Sequence, residues 1–151
     1  MPYIIDGHNL IGKLHNISLQ DIDDEAYLIK ILDQYFRKIR KKAIIFFDRA
    51  SVNGNNNFRS AFITVKFVRS PLNADKAIHQ KLVELKGNAR NYTVISSDRW
   101  VQEKARRVGA KIQKSEIFAF EIENQTRNPA KNDKNINSDV NFWLNMFNND
   151  S

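Results

Sequence analysis

The chain has no cysteine, which excludes disulfides, thiolate zinc sites and cysteine nucleophiles outright. Histidine is scarce: His8, His15 and His79 are the only three, and they lack a close metal-binding spacing, so the nitrogen and sulfur ligands that zinc prefers are missing. No apolar run exceeds a few residues, and the sequence starts directly on a short apolar strand rather than on a basic region followed by a long apolar one. Neither a membrane span nor a leader is expected, and the reading is a soluble, cytosolic (cytoplasmic) protein. Acids are the minority charge. Lys and Arg number 24 against 17 Asp and Glu, a net charge of +7 with a sequence pI near 9.7, and this balance favours a polyanionic partner. RNA, DNA and an acidic protein all stay open on charge alone.

What is present suffices for one core: 151 residues, 42% hydrophobic, with ten Phe, bury a single domain and hardly more. Tyr3 to Ile5 is a short apolar strand ending at Asp6-Gly7, and His8 to Gln20 is polar enough to be a loop with at most a turn of helix. From Asp23 the period turns helical. Leu28, Ile29, Leu32, Tyr35, Phe36 and Ile39 share one face, with acids in the first turn and Arg37 to Lys42 in the last. Ala43 to Phe47 is a second strand, and residues 51–57 are too rich in Asn and Gly for anything but a mobile loop. Phe62 to Val68 is a third strand, stopped by Ser70-Pro71. Asn73 caps a helix to about Lys86 with Gly87 as its stop. Tyr92 to Ser96, a helix from Asp98 to Val108 stopped by Gly109, and Ala110 to Gln113 complete the alternation, with one further short helix over Ser115 to Glu123. Alternating strands and helices predict an α/β fold with a central, mostly parallel sheet of about five strands flanked by helices.

After residue 122 the composition changes. Residues 123–137 are rich in Asn and Lys and nearly free of apolar side chains, a polar linker. Behind it, Val140, Trp143, Leu144 and Phe147 recover the helical apolar spacing over residues 138–148. That helix is expected to dock on the domain or on a second copy of the chain as a homodimer.

Four aspartates fall where these elements converge. Asp6, Asp48 and Asp98 follow the apolar runs Tyr3-Ile-Ile, Ile45-Phe-Phe and Val94-Ile-Ser-Ser, while Asp75 opens a helix. In an open α/β sheet the carboxyl ends of the strands form the ligand crevice, so the chain order gathers the four there. Taken singly, Asp48, Asp75 and Asp98 have ordinary structural explanations as strand-end, first-turn or helix-cap acids, whereas Asp6 is the exception, because Asp-Gly-His-Asn adds a tight turn and a second polar side chain at the crevice. Together on one edge they would repel one another unless a cation or basic groups offset them. Carboxylates without cysteine suit Mg²⁺ or Mn²⁺, and such ions suit phosphodiester hydrolysis, where an attacking water must become more acidic and a developing charge must be neutralised.

Tyr-Ile-Ile-Asp-Gly-His-Asn-Leu at 3–10, Ile-Phe-Phe-Asp at 45–48, Asn-Ala-Asp-Lys-Ala-Ile at 73–78, Val-Ile-Ser-Ser-Asp-Arg at 94–99 and Ala-Arg-Arg-Val-Gly-Ala at 105–110 resemble the NYN domains of the PIN-like nuclease superfamily, and within it the YacP-like bacterial branch. The resemblance covers about residues 1–122, taken as the nuclease domain, and Trp143 with Phe147 is similar to the branch's C-terminal end. It implies a PIN-like (Rossmannoid) three-layer fold and a Mg²⁺- or Mn²⁺-dependent endoribonuclease. Asp6, Asp75 and Asp98 match the metal-binding acids, Asp48 a fourth acidic position, and Asn9 and Ser97 polar positions around the metal. Arg49 departs from the pattern, where related domains often carry Gly, and puts substrate size in doubt. Branch members are linked to messenger RNA cleavage on ribosomes.

Among the basic residues, Arg49 and Arg99 directly follow crevice aspartates and are candidates to hold a phosphate, or else to pair with the neighbouring acids. Arg59, with Phe58, lies after the second strand and is a candidate to grip a single-stranded base. The run Arg37 to Lys42, and Lys104, Arg106, Arg107 and Lys111, end helices and so belong opposite the crevice, where complementing the helix dipole explains them. Two function classes follow: a metal-dependent endoribonuclease, and a non-catalytic RNA- or ribosome-binding module on the same fold. An aspartyl phosphatase fits poorly, because His8 stands two residues after Asp6 where a second Asp would act as acid.

Overall fold

The computed structural model describes residues 1–14, 24–49, 58–69 and 71–127. Its strands are β1 (Tyr3–Asp6), β2 (Ala43–Arg49), β3 (Phe58–Arg59), β4 (Ile63–Arg69), β5 (Thr93–Ile95) and β6 (Lys111–Gln113). Its helices are α1 (Gly7–Ile11), α2 (Asp24–Ile39), α3 (Ala74–Leu85), α4 (Arg99–Arg107) and α5 (Ser115–Arg127), with a 3₁₀ turn over Lys86–Asn91. The sheet order is β3-β4-β2-β1-β5-β6. Tyr3 pairs with both Ala43 and Thr93 in parallel register, and every pairing except β3 with β4 is parallel. From central β1 the chain builds outward through β2 and β4, then crosses back to β5 on the other side. That reversal is the topological switch point, where the carboxyl ends of neighbouring strands part and leave a crevice.

Period-two alternation divides the core between the two faces of the sheet. Ile5, Ile45, Phe47, Val65 and Ile95 point to the layer of α1, α2 and α5, where Leu28, Leu32, Phe36 and Phe118 are fully buried. Ile4, Phe46 and Val94 point to the layer of α3 and α4, against Ile78, Leu82, Val101 and Ala105. Each large side chain so buried contributes about 1.5–3 kcal/mol. Tyr3, Tyr35, Phe36 and Phe118 meet as rings with centroids 5.1–6.0 Å apart, the edge and offset geometries that aromatic quadrupoles favour.

Several elements differ from expectation, each for a physical reason. The sheet has six strands, because β3 adds an antiparallel edge pairing (Phe58 with Val65, Arg59 with Thr64) too short to show a period. Gly7 begins α1 without a separate turn after β1. At the end of α3 it is Lys86 that takes positive φ (50°), and the chain then tightens into the 3₁₀ turn instead of stopping at Gly87. Gly109 does adopt positive φ (84°) after α4, as its place at a helix stop requires. α5 continues to Arg127, beyond the Glu123 end and through the first positions assigned to the linker. The Asn-rich loop over 51–57, the remainder of the linker and the helix over 138–148 lie outside the described residues. Among the described residues no helix is long and apolar enough to cross a membrane.

Gly7 matters by close approach, not by φ. A Cβ there would stand 2.4 Å from Cε1 of Phe47, and that ring is hemmed by Phe67, stacked at 5.3 Å, and by His8 at 5.0 Å. Gly7→Ala is expected to destabilise the fold by about 1–3 kcal/mol through overpacking, seen as a lower urea midpoint at unchanged slope.

Candidate active site

Three of the four aspartates stand where strands end or have just ended, and the fourth opens a helix. Asp6 is the last residue of β1, at the switch point, and is 6% exposed. Asp48 lies near the end of β2, next to Arg49. Asp75 sits in the first turn of α3, and Asp98 caps α4 just after β5. Asp75 and Asp48 are near enough for their charges to act on Asp6, and Asp98 and Asp48 near enough to act on Asp75.

Electrostatics records the crowding. Burial, then the charges of Asp75 and Asp48, push the Asp6 carboxyl up to about 7, against the lowering effect of bonds from Ser96 and the Asn9 backbone. Burial, Asp98 and Asp48 raise Asp75 as well. No Lys or Arg among the described side chains forms an ion pair with any of the four. Among the described side chains, the site is a partly buried cluster of acids with no cation paired to it.

Backbone donors orient the carboxylates. Oδ1 of Asp98 accepts from the N–H groups of Trp100 (2.9 Å) and Val101 (3.2 Å), a helix cap. Oδ1 of Asp48 accepts from the N–H of Ala74 (2.5 Å), tying β2 to the start of α3. In both, no described donor reaches the second oxygen. Ser96 is the residue that sequence reasoning missed. It is fully buried; its Oγ donates to Oδ2 of Asp6 (3.3 Å) and accepts from the N–H of Asp98 (3.0 Å), so one hydroxyl links two of the acids. Its only signal is a polar residue closing the apolar run of the strand Tyr92 to Ser96.

Asn9 and Ser97 stand beside this cluster within a second network. Oδ1 of Asn9 accepts from the Ser97 N–H (2.9 Å) and the Ser115 hydroxyl (2.6 Å). The Ser97 hydroxyl donates to Glu116 and accepts from the Ser115 N–H. These bonds fasten α1, the β5–α4 connection and the start of α5 together. Asn9 and Ser97 thus hold the frame of the site, with Ser115 and Glu116 as unforeseen members.

Arg99, the first residue of α4, is exposed and has no ion-pair partner among the described residues. Arg49 ends β2 opposite Arg69 on β4. Arg59 is not brought to this edge. β3 pairs with the beginning of β4, and Arg59 lines a cavity of about 330 Å³ with Pro2, Lys42 and Tyr92 at the amino-terminal ends of the strands. A parallel crossover must return the chain to the far edge before β4 starts, which carries Arg59 away from the acids. His8 bonds Glu25 through Nε2 at 2.5 Å, and His79 packs against Trp100.

An all-oxygen set of mutually repelling carboxylates, two of them with an unused oxygen, fits a hard divalent cation in chemistry. As they stand, no three Asp, Glu or His side chains among the described residues close on one ion.

The chain matches the family model of the YacP-like NYN domain over residues 3–149. Two solved structures are similar in fold. The crystal structure of Rae1 (YacP) from Bacillus subtilis is 21% identical, with a TM-score of 0.70 over 99% of this chain and 89% of that one. A mutant of the same protein is 23% identical, with a TM-score of 0.66 over 83% and 77% of the two chains. No curated protein matches the chain.

Proposed function

The chain belongs to the YacP-like NYN domain family, a nuclease-type family, and from that premise we propose that it is a metal-dependent endoribonuclease. It hydrolyses RNA phosphodiester bonds at the acidic edge. The observation that carries this reading is Asp6, buried at the switch point and pushed up to about 7 by burial and by the acids around it. A carboxyl so placed is costly to the fold, and such costs concentrate where chemistry is done.

Asp6, Asp75 and Asp98 would hold Mg²⁺ or Mn²⁺, with Asp48 assisting. When bound, such an ion supplies acidity to the attacking water and neutralises charge developing on the phosphate. The chain's own residues do the rest. Ser96 sets the spacing of Asp6 and Asp98 through its two hydrogen bonds. Asn9 and Ser97 keep the β5–α4 connection from moving. Arg99 and Arg49, at opposite sides of the edge, hold phosphates flanking the reacting one. The substrate in this account is single-stranded or messenger RNA met in the cytoplasm, with the ribosome as a candidate partner.

The rival reading is a non-catalytic RNA- or ribosome-binding module, and the lack of a closed ligand set among the described residues favours it. Incubating the protein with a pool of single-stranded and structured RNA in Mg²⁺, Mn²⁺ or chelator separates the two. Endonucleolytic products that require a divalent ion are expected. RNA binding with no product under any ion would give the module reading the lead.

A further inference from the structure

Among the described residues, Trp100 is the one large aromatic side chain at the acidic edge that neither the core nor the proposed chemistry employs. It is 39% exposed and stands two residues after Asp98, whose carboxylate accepts its N–H at 2.9 Å. The backbone carrying the indole is therefore pinned to one of the four acids. Across the groove between α3 and α4 the ring meets His79 edge-on, with centroids 5.6 Å apart and planes at 76°. His79 lies one turn beyond Asp75 on α3, so the pair of rings bridges the two helices that present Asp75 and Asp98. The ammonium of Lys104 stands 5.2 Å from the indole centroid, within cation–π range.

A polyanion approaching this edge meets repulsion from four carboxylates. Stacking is a binding contribution that does not depend on charge, and every base offers a π-face to it. Only an unpaired base is free to leave its neighbours and lie on a protein ring. Lys104, in the last turn of α4 and expected opposite the crevice, instead reaches back over the indole and brings a cation to it. We propose that Trp100, supported by His79 and Lys104, is a stacking site for one unpaired base next to the scissile phosphate, and that it selects single-stranded RNA. This inference rests on the reading of the acidic edge as the place where RNA is cut. Sequence reasoning passed over Trp100 because a lone aromatic in a helix's first turn shows no periodicity.

The test is binding in chelator, where no cleavage is needed, of an RNA of about eight nucleotides as single strand and as duplex. Trp100→Ala is expected to bind the single strand about five- to hundredfold more weakly, the range that base–aromatic stacking supports. Its duplex affinity should be unchanged, and Trp100→Phe should keep most of the single-strand affinity. In a Trp143→Phe chain, Trp100 is the sole indole, and its fluorescence should be quenched by the single strand and not by the duplex. Wild-type affinity in Trp100→Ala, an equal loss for both RNA forms, a Phe variant no better than Ala, or unquenched fluorescence would each overturn the stacking site. Stacking without any divalent-dependent cleavage would sink the nuclease reading alone; cleavage unaffected by Trp100→Ala would sink the stacking site alone.

Discussion

Asp6→Asn is expected to abolish RNA cleavage and, at pH 8 without divalent ions, to make the protein more stable than the wild type. Loss of cleavage follows from the proposed ion-holding role, and the stability effect from the carboxyl's burial among acids. The folded-state pKa of Asp6, about 7, lies above its ordinary value of 3.8, so between those values the folded chain binds a proton that the unfolded chain has released. Stability from this group is fully present below about pH 4 and falls as pH rises through 7; above that, the fold carries a buried charge at full cost. Burial is the main cause, followed by Asp75 and Asp48. At about 1.4 kcal/mol per pH unit, asparagine should recover roughly 2–4 kcal/mol at pH 8, while near pH 4 the two proteins should be alike. Asparagine also keeps an oxygen for the Ser96 hydroxyl. Urea unfolding in chelator at pH 5 and pH 8 checks this. A mutant less stable than wild type at pH 8 would show that the carboxylate is already compensated.

Asp98 separates stability from activity in a different way, because its carboxylate is also the cap of α4. Asp98→Asn should leave stability nearly unchanged, since asparagine caps a helix about as well as aspartate. Asp98→Ala should cost about 1 kcal/mol, as the Trp100 and Val101 N–H groups lose their acceptor. If Asp98 holds the ion as proposed, both should lower kcat by at least about a hundredfold, because losing that acid removes several kcal/mol of transition-state stabilisation. Thermal unfolding beside single-turnover cleavage distinguishes the roles. If Asp98→Asn cleaved like wild type while only Asp98→Ala was impaired, Asp98 would be a cap and nothing more.

Much of this architecture was legible because its signals are local. The runs Ile4-Ile5, Ile44 to Phe47 and Val94-Ile95 announce buried parallel strands, the apolar face from Leu28 to Ile39 announces α2, and strand ends place Asp6, Asp48 and Asp98 on one edge. What escaped depends on contacts distant in sequence. β3 exists only through its pairing with β4, Ser96 matters only because Asp6 and Asp98 flank it, and His8 is occupied only because α2 brings Glu25 to it. The position of Arg59 relative to the acids depends on the pairing of β3 with the beginning of β4, which sets it at the opposite edge. The family resemblance supplied the assignment of metal-binding roles, which spacing alone left undivided between caps and ligands.

The most direct measurement is cleavage of a labelled single-stranded RNA by wild type and by Asp75→Asn across a Mn²⁺ titration, with thermal unfolding followed in the same samples. The Asp75 carboxylate has no hydrogen bond to a described residue, so its substitution disturbs no cap. The account predicts that Mn²⁺ raises both the unfolding temperature and the cleavage rate of wild type over one concentration range, and that Asp75→Asn loses both responses while remaining folded. Cleavage by the mutant at the wild-type rate, or cleavage by wild type in chelator, would contradict it.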